Sequence, residues 1–384
     1  MDKNLYSIDE KYSIKEIGNF DKLEEFRPIW NSLAEKQGPY KIFLSYDWFK
    51  IWLKHFLGEN KLVILLLYKE NEIVAIAPFS IKRERFKGVP IKKIELLGNV
   101  YSPFRYFLIN EGDDKEKVKN LFCIFDFVFK QHKGWSVLDL HAIPQENNWF
   151  NLVITTLKRM GLNYSDYLCF GDWYLDEIKY SGEEYFNNLP QKIKKDILYC
   201  KRRLEKMGKC EFKLIRNGNN IDDYMDLYYK VYEKSWQKKE GVGPNFHRDL
   251  AKIAIRNNWL RLGFLFFDNS PIASQFWVSN NEIAYILKTV YNQEYKKFSP
   301  GKILTSEMMK YVIDMDGVNI VDYVQGDEAY KEDWTPKRRE RCGVLIFNNN
   351  IKGKYLELLT RDILPTVEKN KYLRKAKQIV KRFL

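Results

Sequence analysis

Two stretches decide how this chain reads: LVILLLYKENEIVAIAPFS, residues 62–80, and LRLGFLFFDNSPIASQFWVS, residues 260–279. Each is an apolar run, interrupted by a polar triplet (Lys69-Glu70-Asn71 in one, Asp268-Asn269-Ser270 in the other) and then resumed. That pattern predicts a β-hairpin, because residues tolerant of turn geometry separate two strands that need a buried face. A hairpin met twice in 384 residues predicts a duplicated unit, and the flanking segments extend the match.

Upstream, Trp30 with Gly38-Pro39 parallels Trp236 with Gly243-Pro244, each read as a helix ending in Trp. Each is followed by an amphipathic helical segment, FLSYDWFKIWLKHF (43–56) and NFHRDLAKIAIRNN (245–258). Downstream, IELLGNVY (94–101) matches IAYILKTVY (283–291), and WSVLDLHAIP around Asp139 matches VNIVDYVQGD around Asp322. The order is kept while the spacing between matched landmarks shrinks steadily, as expected if the first copy acquired longer connections. The unit reads helix, helix, hairpin, strand, helix, strand. The predicted fold class is therefore α/β in layers: two tandem units, each a mixed, mostly antiparallel sheet flanked by helices. The expected boundaries are 1–175, 176–348 and a basic helical tail at 349–384, and the length exceeds what one core usually supports.

Composition narrows the function classes. No stretch of about 18 apolar residues occurs, and the start MDKNLYSIDEKYS has no basic-then-apolar signal pattern, so a cytoplasmic protein is expected. Cys123, Cys169, Cys200, Cys210 and Cys342 are scattered, as are the four histidines, so neither a disulfide framework nor a metal site is expected. A net charge of +13 points to an anionic partner, or to the codon bias of a Lys-, Asn- and Tyr-rich genome.

The two copies differ after their third strand. The second runs into Ser299-Pro300-Gly301-Lys302 and then a helix carrying Ile303, Leu304, Met308, Tyr311 and Val312. Ser suits a cap, Pro the first turn and Gly a close approach to the backbone, so this start either binds an anion, with Lys302 adding charge, or simply caps the helix. The first copy has Ser102-Pro103-Phe104-Arg105-Tyr106 there, with no glycine and two bulky rings, which places ligand chemistry in the second half. The next strand ends in Asp322-Tyr323-Val324-Gln325-Gly326-Asp327-Glu328-Ala329-Tyr330-Lys331. Asp322, Asp327 or Glu328 can take a proton there, Tyr330 can donate one and Lys331 can bind an anion; a solvated loop is the plain alternative.

Three stretches carry a resemblance: the basic helix from Gln191-Lys192-Ile193-Lys194-Lys195 through Arg202-Arg203-Leu204, the Tyr295–Gly301 segment, and Asp322 through Lys331 with Trp334. They resemble GNAT acyltransferases of the CelD, cellulose-biosynthesis type (BioF2-like acetyltransferase domains), relatives of the Fem peptidyltransferases that also pair GNAT units. The first half is similar more weakly, through Trp30, Phe43, Trp48, Trp52 and Pro78. The resemblance implies transfer of an acyl group from acyl-CoA, or from the phosphopantetheine of an acyl carrier protein, to an amine or hydroxyl. The implied acceptor is a sugar or other precursor in surface polysaccharide or cell-envelope biosynthesis. An acidic residue common in the family is Asn292 here, and the usual glycine-rich loop is reduced to Ser299-Pro300-Gly301.

On that reading Asp322 or Asp327 is the base or orienter, Tyr330 the acid or oxyanion donor, and Ser299, Gly301 and Lys302 grip the pantetheine phosphates with help from Lys331; the first copy shapes the acceptor cleft. The Lys192–Lys209 basic helix offers a carrier protein an anion-seeking face, and residues 369–384, with seven basic groups among Leu373, Ile379, Val380 and Phe383, offer a peripheral contact with the inner membrane face. The alternatives are an aminoacyl-tRNA-dependent Fem-like peptidyltransferase, the one reading that brings in nucleic acid, and a non-catalytic binding module.

Overall fold

The computed structural model describes residues 5–110, 112–145, 148–236 and 244–363. Gly243 and the 369–384 tail therefore lie outside the described residues. No described helix is long and apolar enough to cross a membrane.

The chain begins with β1 (Leu5–Ser7) and β2 (Tyr12–Ile17), then α1 (Arg27–Glu35), α2 (Lys41–Leu44) and α3 (Tyr46–Phe56). Strands β3 (Lys61–Lys69), β4 (Glu72–Phe86), β5 (Val89–Leu96) and β6 (Leu108–Ile109) precede α4 (Asp114–Gln131), β7 (Val137–Ile143), α5 (Trp149–Arg159) and β8 (Tyr164–Leu175). The second half opens with α6 (Gly182–Asn188), α7 (Gln191–Glu205), β9 (Cys210–Ile215), α8 (Ile221–Glu233) and α9 (Pro244–Arg256). It continues with β10 (Leu260–Phe267), β11 (Ser270–Ser279), β12 (Ile283–Tyr291), α10 (Pro300–Asp314), β13 (Ile320–Asp322), β14 (Lys337–Phe347) and α11 (Ile351–Leu358). The element order repeats as the sequence predicts, hairpin for hairpin.

Two compact units result. The first holds the chain up to Tyr46, Phe56–Cys169 and the residues from Arg341 on; the second holds Asp47–His55 and Phe170–Glu340. In the first, β1 to β5 pair antiparallel in chain order, β5 runs parallel to β7, and Cys342–Phe347 of β14 closes the sheet antiparallel to β7. In the second, β9 to β12 pair antiparallel, β12 runs parallel to β13, and Tyr174–Leu175 of β8 pairs antiparallel to β13. Each sheet is thus completed by a strand from the other copy's stretch of sequence.

The hairpins form because β3 and β10 are buried along nearly their whole length and their turns accept positive φ: Glu70 at 58°, Asp268 at 44° and Asn269 at 65°. Helix α10 packs its buried Leu304, Met308 and Val312 into the second unit's core, and Met308 fits against β10 only because position 263 is glycine: a Cβ there would sit 2.4 Å from the methionine sulfur. Truncating such a core methionine costs about 2–5 kcal/mol. Helix α7 buries Ile193, Ile197, Cys200 and Leu204 along one stripe. Of its basic face, Lys194 bonds the Asn187 carbonyl and Lys201 pairs with Glu307, so part of that charge is already satisfied.

Three landmarks differ in detail. Trp30 sits inside α1, fully buried, its indole donating to the Leu44 carbonyl, whereas Trp236 lies just past α8 and is 59% exposed. Val100-Tyr101 falls after the end of β5, while Val290-Tyr291 is still in β12. Ser299 does not cap α10 with its side chain: it takes a left-handed conformation (φ 46°) and its hydroxyl donates to Asp196 instead.

Candidate functional site

In the second unit the parallel ladder joins Ile283–Tyr285 of β12 to Ile320–Asp322 of β13 and goes no further. β12 runs on to Tyr291, but the chain leaving β13 turns away through positive φ at Val324 (58°) and Gly326 (105°). The divergence opens a cleft of about 290 Å³. One wall is Thr289, Val290 and Tyr291 of β12; the other is Tyr323, Tyr330, Asp333 and Trp334 of the turning segment. The start of α10, through Gly301, Lys302 and Thr305, forms the floor, and the exposed Trp236 stands at the edge.

The floor is fixed by a buried polar relay. The Trp277 indole donates to Gln275 Oε1 (2.9 Å), and Gln275 Nε2 donates to Thr305 Oγ1 (2.7 Å) and to the Gly301 carbonyl (3.2 Å). A side chain at 301 would meet the Tyr291 ring at 3.3 Å, so glycine lets that ring lie against the helix start. In the first turn of this 15-residue helix Pro300 has no N–H and the Lys302 and Ile303 amides bond the Ser299 carbonyl (3.0 and 3.2 Å), so the Gly301 amide and the helix dipole are what this start offers an anion or a carbonyl oxygen.

Lys302 reaches the same floor, yet its ammonium lies 2.7 Å from Asp196 of α7, which also accepts from Ser299 (3.2 Å). Partial burial alone would raise the Asp196 carboxyl; the Lys302 contact outweighs it and holds the group below the usual range. The predicted phosphate grip is therefore a Lys-Asp pair. Tyr330 is half-exposed as a residue, but desolvation pushes its hydroxyl up to about 12 even though it bonds to Thr289, so it remains a proton-bearing donor at neutral pH.

The other sequence-predicted residues do not line the cleft. Asp322 is buried, receives the Val324 amide at 2.5 Å and pairs with Arg339, which also holds Asp172 at 2.7 Å. Asp327 is tied at two points to Arg338 (2.7 and 3.0 Å) and accepts from the Gly171 amide; the arginine keeps its carboxyl below the usual range. Lys331 is buried and donates to the Gln325 carbonyl (2.5 Å) with Glu328 at 2.8 Å, stapling its own loop rather than facing a ligand. Glu328 is thereby engaged as well. The structure brings together Gly301, Lys302 and Tyr330, with Ser299 beside them. It adds Asp333, whose carboxylate forms no ion pair among the described residues, together with Gln275, Thr289 and Thr305. The sequence signal for Gln275 is a long polar side chain in the inward run of a buried strand.

At the matching place in the first copy the described side chains pack on one another. Phe104 packs on Tyr40 (ring centroids 4.4 Å) and Phe43 (5.1 Å), Tyr106 packs on Trp149 (4.5 Å), and both are buried. Among the described residues no group of three His, Cys, Asp or Glu side chains could hold a metal ion.

Residues 191–332, which contain α7, the cleft and its turning segment, match the Acetyltransferase (GNAT) domain family. No curated protein sequence matches the chain. Among solved structures the chain is similar to FemX, at 11% identity over 90% of this chain and 99% of that one, with a TM-score of 0.57. It is also similar to L-PGS from Bacillus licheniformis (12%, 92% and 98%, TM-score 0.50) and to a conserved protein of unknown function from Bacteroides thetaiotaomicron (12%, 84% and 97%, TM-score 0.50). At these identities the likeness is one of fold. The acetyltransferase-domain match thus falls on the second of two units that share one order of elements.

Proposed function

We propose that the second unit transfers an acyl group from a thioester donor, acyl-CoA or an acyl carrier protein, to an amine or hydroxyl acceptor of the kind found in surface-polysaccharide and envelope precursors. The observation that carries this reading is the divergence of β12 from β13 over a floor made by a helix start. A linear pantetheine arm, rich in amides, fits a narrow cleft walled by a strand, and its phosphates suit the α10 start. The motifs that resemble CelD-type enzymes, at 191–204, 295–301 and 322–334, surround this cleft in the sequence.

In the proposed step the acceptor nitrogen or oxygen bonds to the thioester carbonyl carbon, the C–S bond breaks and the thiolate leaves. Asp333 takes the acceptor's proton. Tyr330 donates a hydrogen bond to the developing oxyanion; a phenol held near 12 keeps its proton against a thiolate whose acid titrates near 8.5, so it stabilises charge and the solvent protonates the thiolate. Asp322 and Asp327 hold the segment that carries Tyr330.

A second reading, transfer from charged tRNA, is favoured by exposed Lys192 and Lys195 of α7 beside cleft-lining Ile193. Native mass spectrometry with acyl-CoA, acyl carrier protein and aminoacyl-tRNA separates the donors, and thiol release in the presence of amino sugars tests the reaction. Acyl-CoA or carrier-protein turnover is expected. Turnover from tRNA alone would select the second reading, and binding of none would leave a non-catalytic module.

A further inference from the structure

The first unit carries a surface that the acyl-transfer reading does not use. Helix α11 buries Gly353 and Leu356 against the unit, and Leu356 packs with Ile91, Val137, Leu345 and Phe347. On its opposite side Ile351 (88% exposed), Tyr355 (50%) and Leu358 (52%) follow one another at i, i+4, i+7, which is one helix face turned to solvent. Such an apolar row is costly in water unless something covers it.

Next to it lies a shallow hollow of about 690 Å³ whose rim is cationic: Arg83, Arg85, Lys92, Lys133 and Lys352. Lys352 belongs to α11 and bonds the Pro90 carbonyl at 2.9 Å, so hollow and apolar row share one residue. Arg83 stands directly opposite Lys92 in the β4–β5 ladder. Like charges in that position oppose strand pairing, and a bound anion would relieve them. Glu84 also borders the hollow, but its carboxylate is committed to Lys82 (3.1 Å) and Lys93 (2.9 Å).

We propose that α11 and this hollow together form a docking face for an anionic phospholipid bilayer, with the row Ile351–Tyr355–Leu358 entering the acyl boundary and the hollow taking lipid phosphates. A soluble polyanion would satisfy the cations but would gain nothing from the exposed apolar row.

The test is sedimentation of the full-length protein with phosphatidylglycerol or phosphatidylcholine vesicles, with poly(U) RNA as the competing polyanion. Binding to phosphatidylglycerol alone is expected. Arg83→Ser with Arg85→Ser should weaken it about five-fold per charge removed, and Ile351→Ser with Leu358→Ser should weaken it without altering the salt dependence. Hydrogen exchange on the unsubstituted protein gives an independent readout: amides of 351–358 should slow when phosphatidylglycerol vesicles are added. Equal binding to both lipids, full binding by either double variant, unchanged exchange, or RNA binding that displaces the vesicles and ignores Ile351 and Leu358 would overturn the proposal.

Discussion

Lys302 Nζ lies 2.7 Å from Asp196 Oδ2, so this cation on the cleft floor is already paired with a carboxylate of α7. A donor phosphate arriving at the α10 start must share Lys302 with Asp196. Both partners are partly exposed, which keeps the pair's worth near the range of surface bridges, about 0–1 kcal/mol. Asp196→Asn is therefore expected to lower the donor KM a few-fold with kcat unchanged, and Lys302→Ala to raise it. If Asp196→Asn raises KM as much as Lys302→Ala does, Asp196 positions the lysine and does not compete for it.

Desolvation holds the Tyr330 proton to about pH 12, and burial pushes the Tyr323 hydroxyl of the same wall up as well. Tyr330→Phe keeps the ring and removes the donor, so kcat should fall about 10²-fold while donor affinity barely moves. In the unsubstituted enzyme the pH–rate profile should show no loss from Tyr330 ionisation between pH 8 and 10. A phenylalanine variant with full turnover would leave the oxyanion without its proposed partner.

Asp322 and Asp333 separate structure from chemistry. Asp322→Asn weakens a buried contact with Arg339, which keeps Asp172, so a stability loss of about 1.5–3 kcal/mol is expected, with the folded enzyme still active. Asp333→Asn should leave stability within about 0.5 kcal/mol and reduce turnover 10²-fold or more. Thermal melts and thiol release on the same samples decide. The reverse pattern would return the base to Asp322.

The hairpins were legible because their signals are local: apolar runs, and turn residues such as Asp268-Asn269 that accept positive φ. The equivalence of Asp139 and Asp322 was legible too, since both follow a parallel step from the third strand, as the pairs Glu95–Asp139 and Tyr285–Asp322 show. The roles of those aspartates were not legible. Arg339 reaches Asp322 from seventeen residues on and Asp172 from the other copy's strand, and no local pattern announces such partners. Lys331 looked like an anion ligand because charge in a polar loop reads as solvated. Its burial comes from the Gly326 turn, which folds the Gln325 carbonyl back onto the ammonium. Asp333 lay beside the quoted motif without any spacing to mark it, and only the divergence of two strands turns it toward a cleft.

The first copy holds a pH-sensitive group of its own. His141 Nδ1 lies 3.0 Å from the Tyr167 hydroxyl, which donates to Asp139 Oδ1 at 2.6 Å, so the imidazole must donate to the phenol oxygen through Nδ1. Burial, reinforced by Arg105, lowers the His141 pKa from 6.5 to about 4. The unfolded chain consequently binds a proton that the folded one refuses between those values. This contribution to stability is complete above pH 6.5, shrinks as the pH falls, and has gone once His141 is protonated near 4. At about 1.4 kcal/mol per unit the window is worth up to about 3 kcal/mol. His141→Gln should flatten the melting-temperature profile between pH 6.5 and 4 while leaving the acid loss below 4 that comes from carboxylates such as Asp196 and Asp327. An unchanged profile in His141→Gln would mean that another group controls that window.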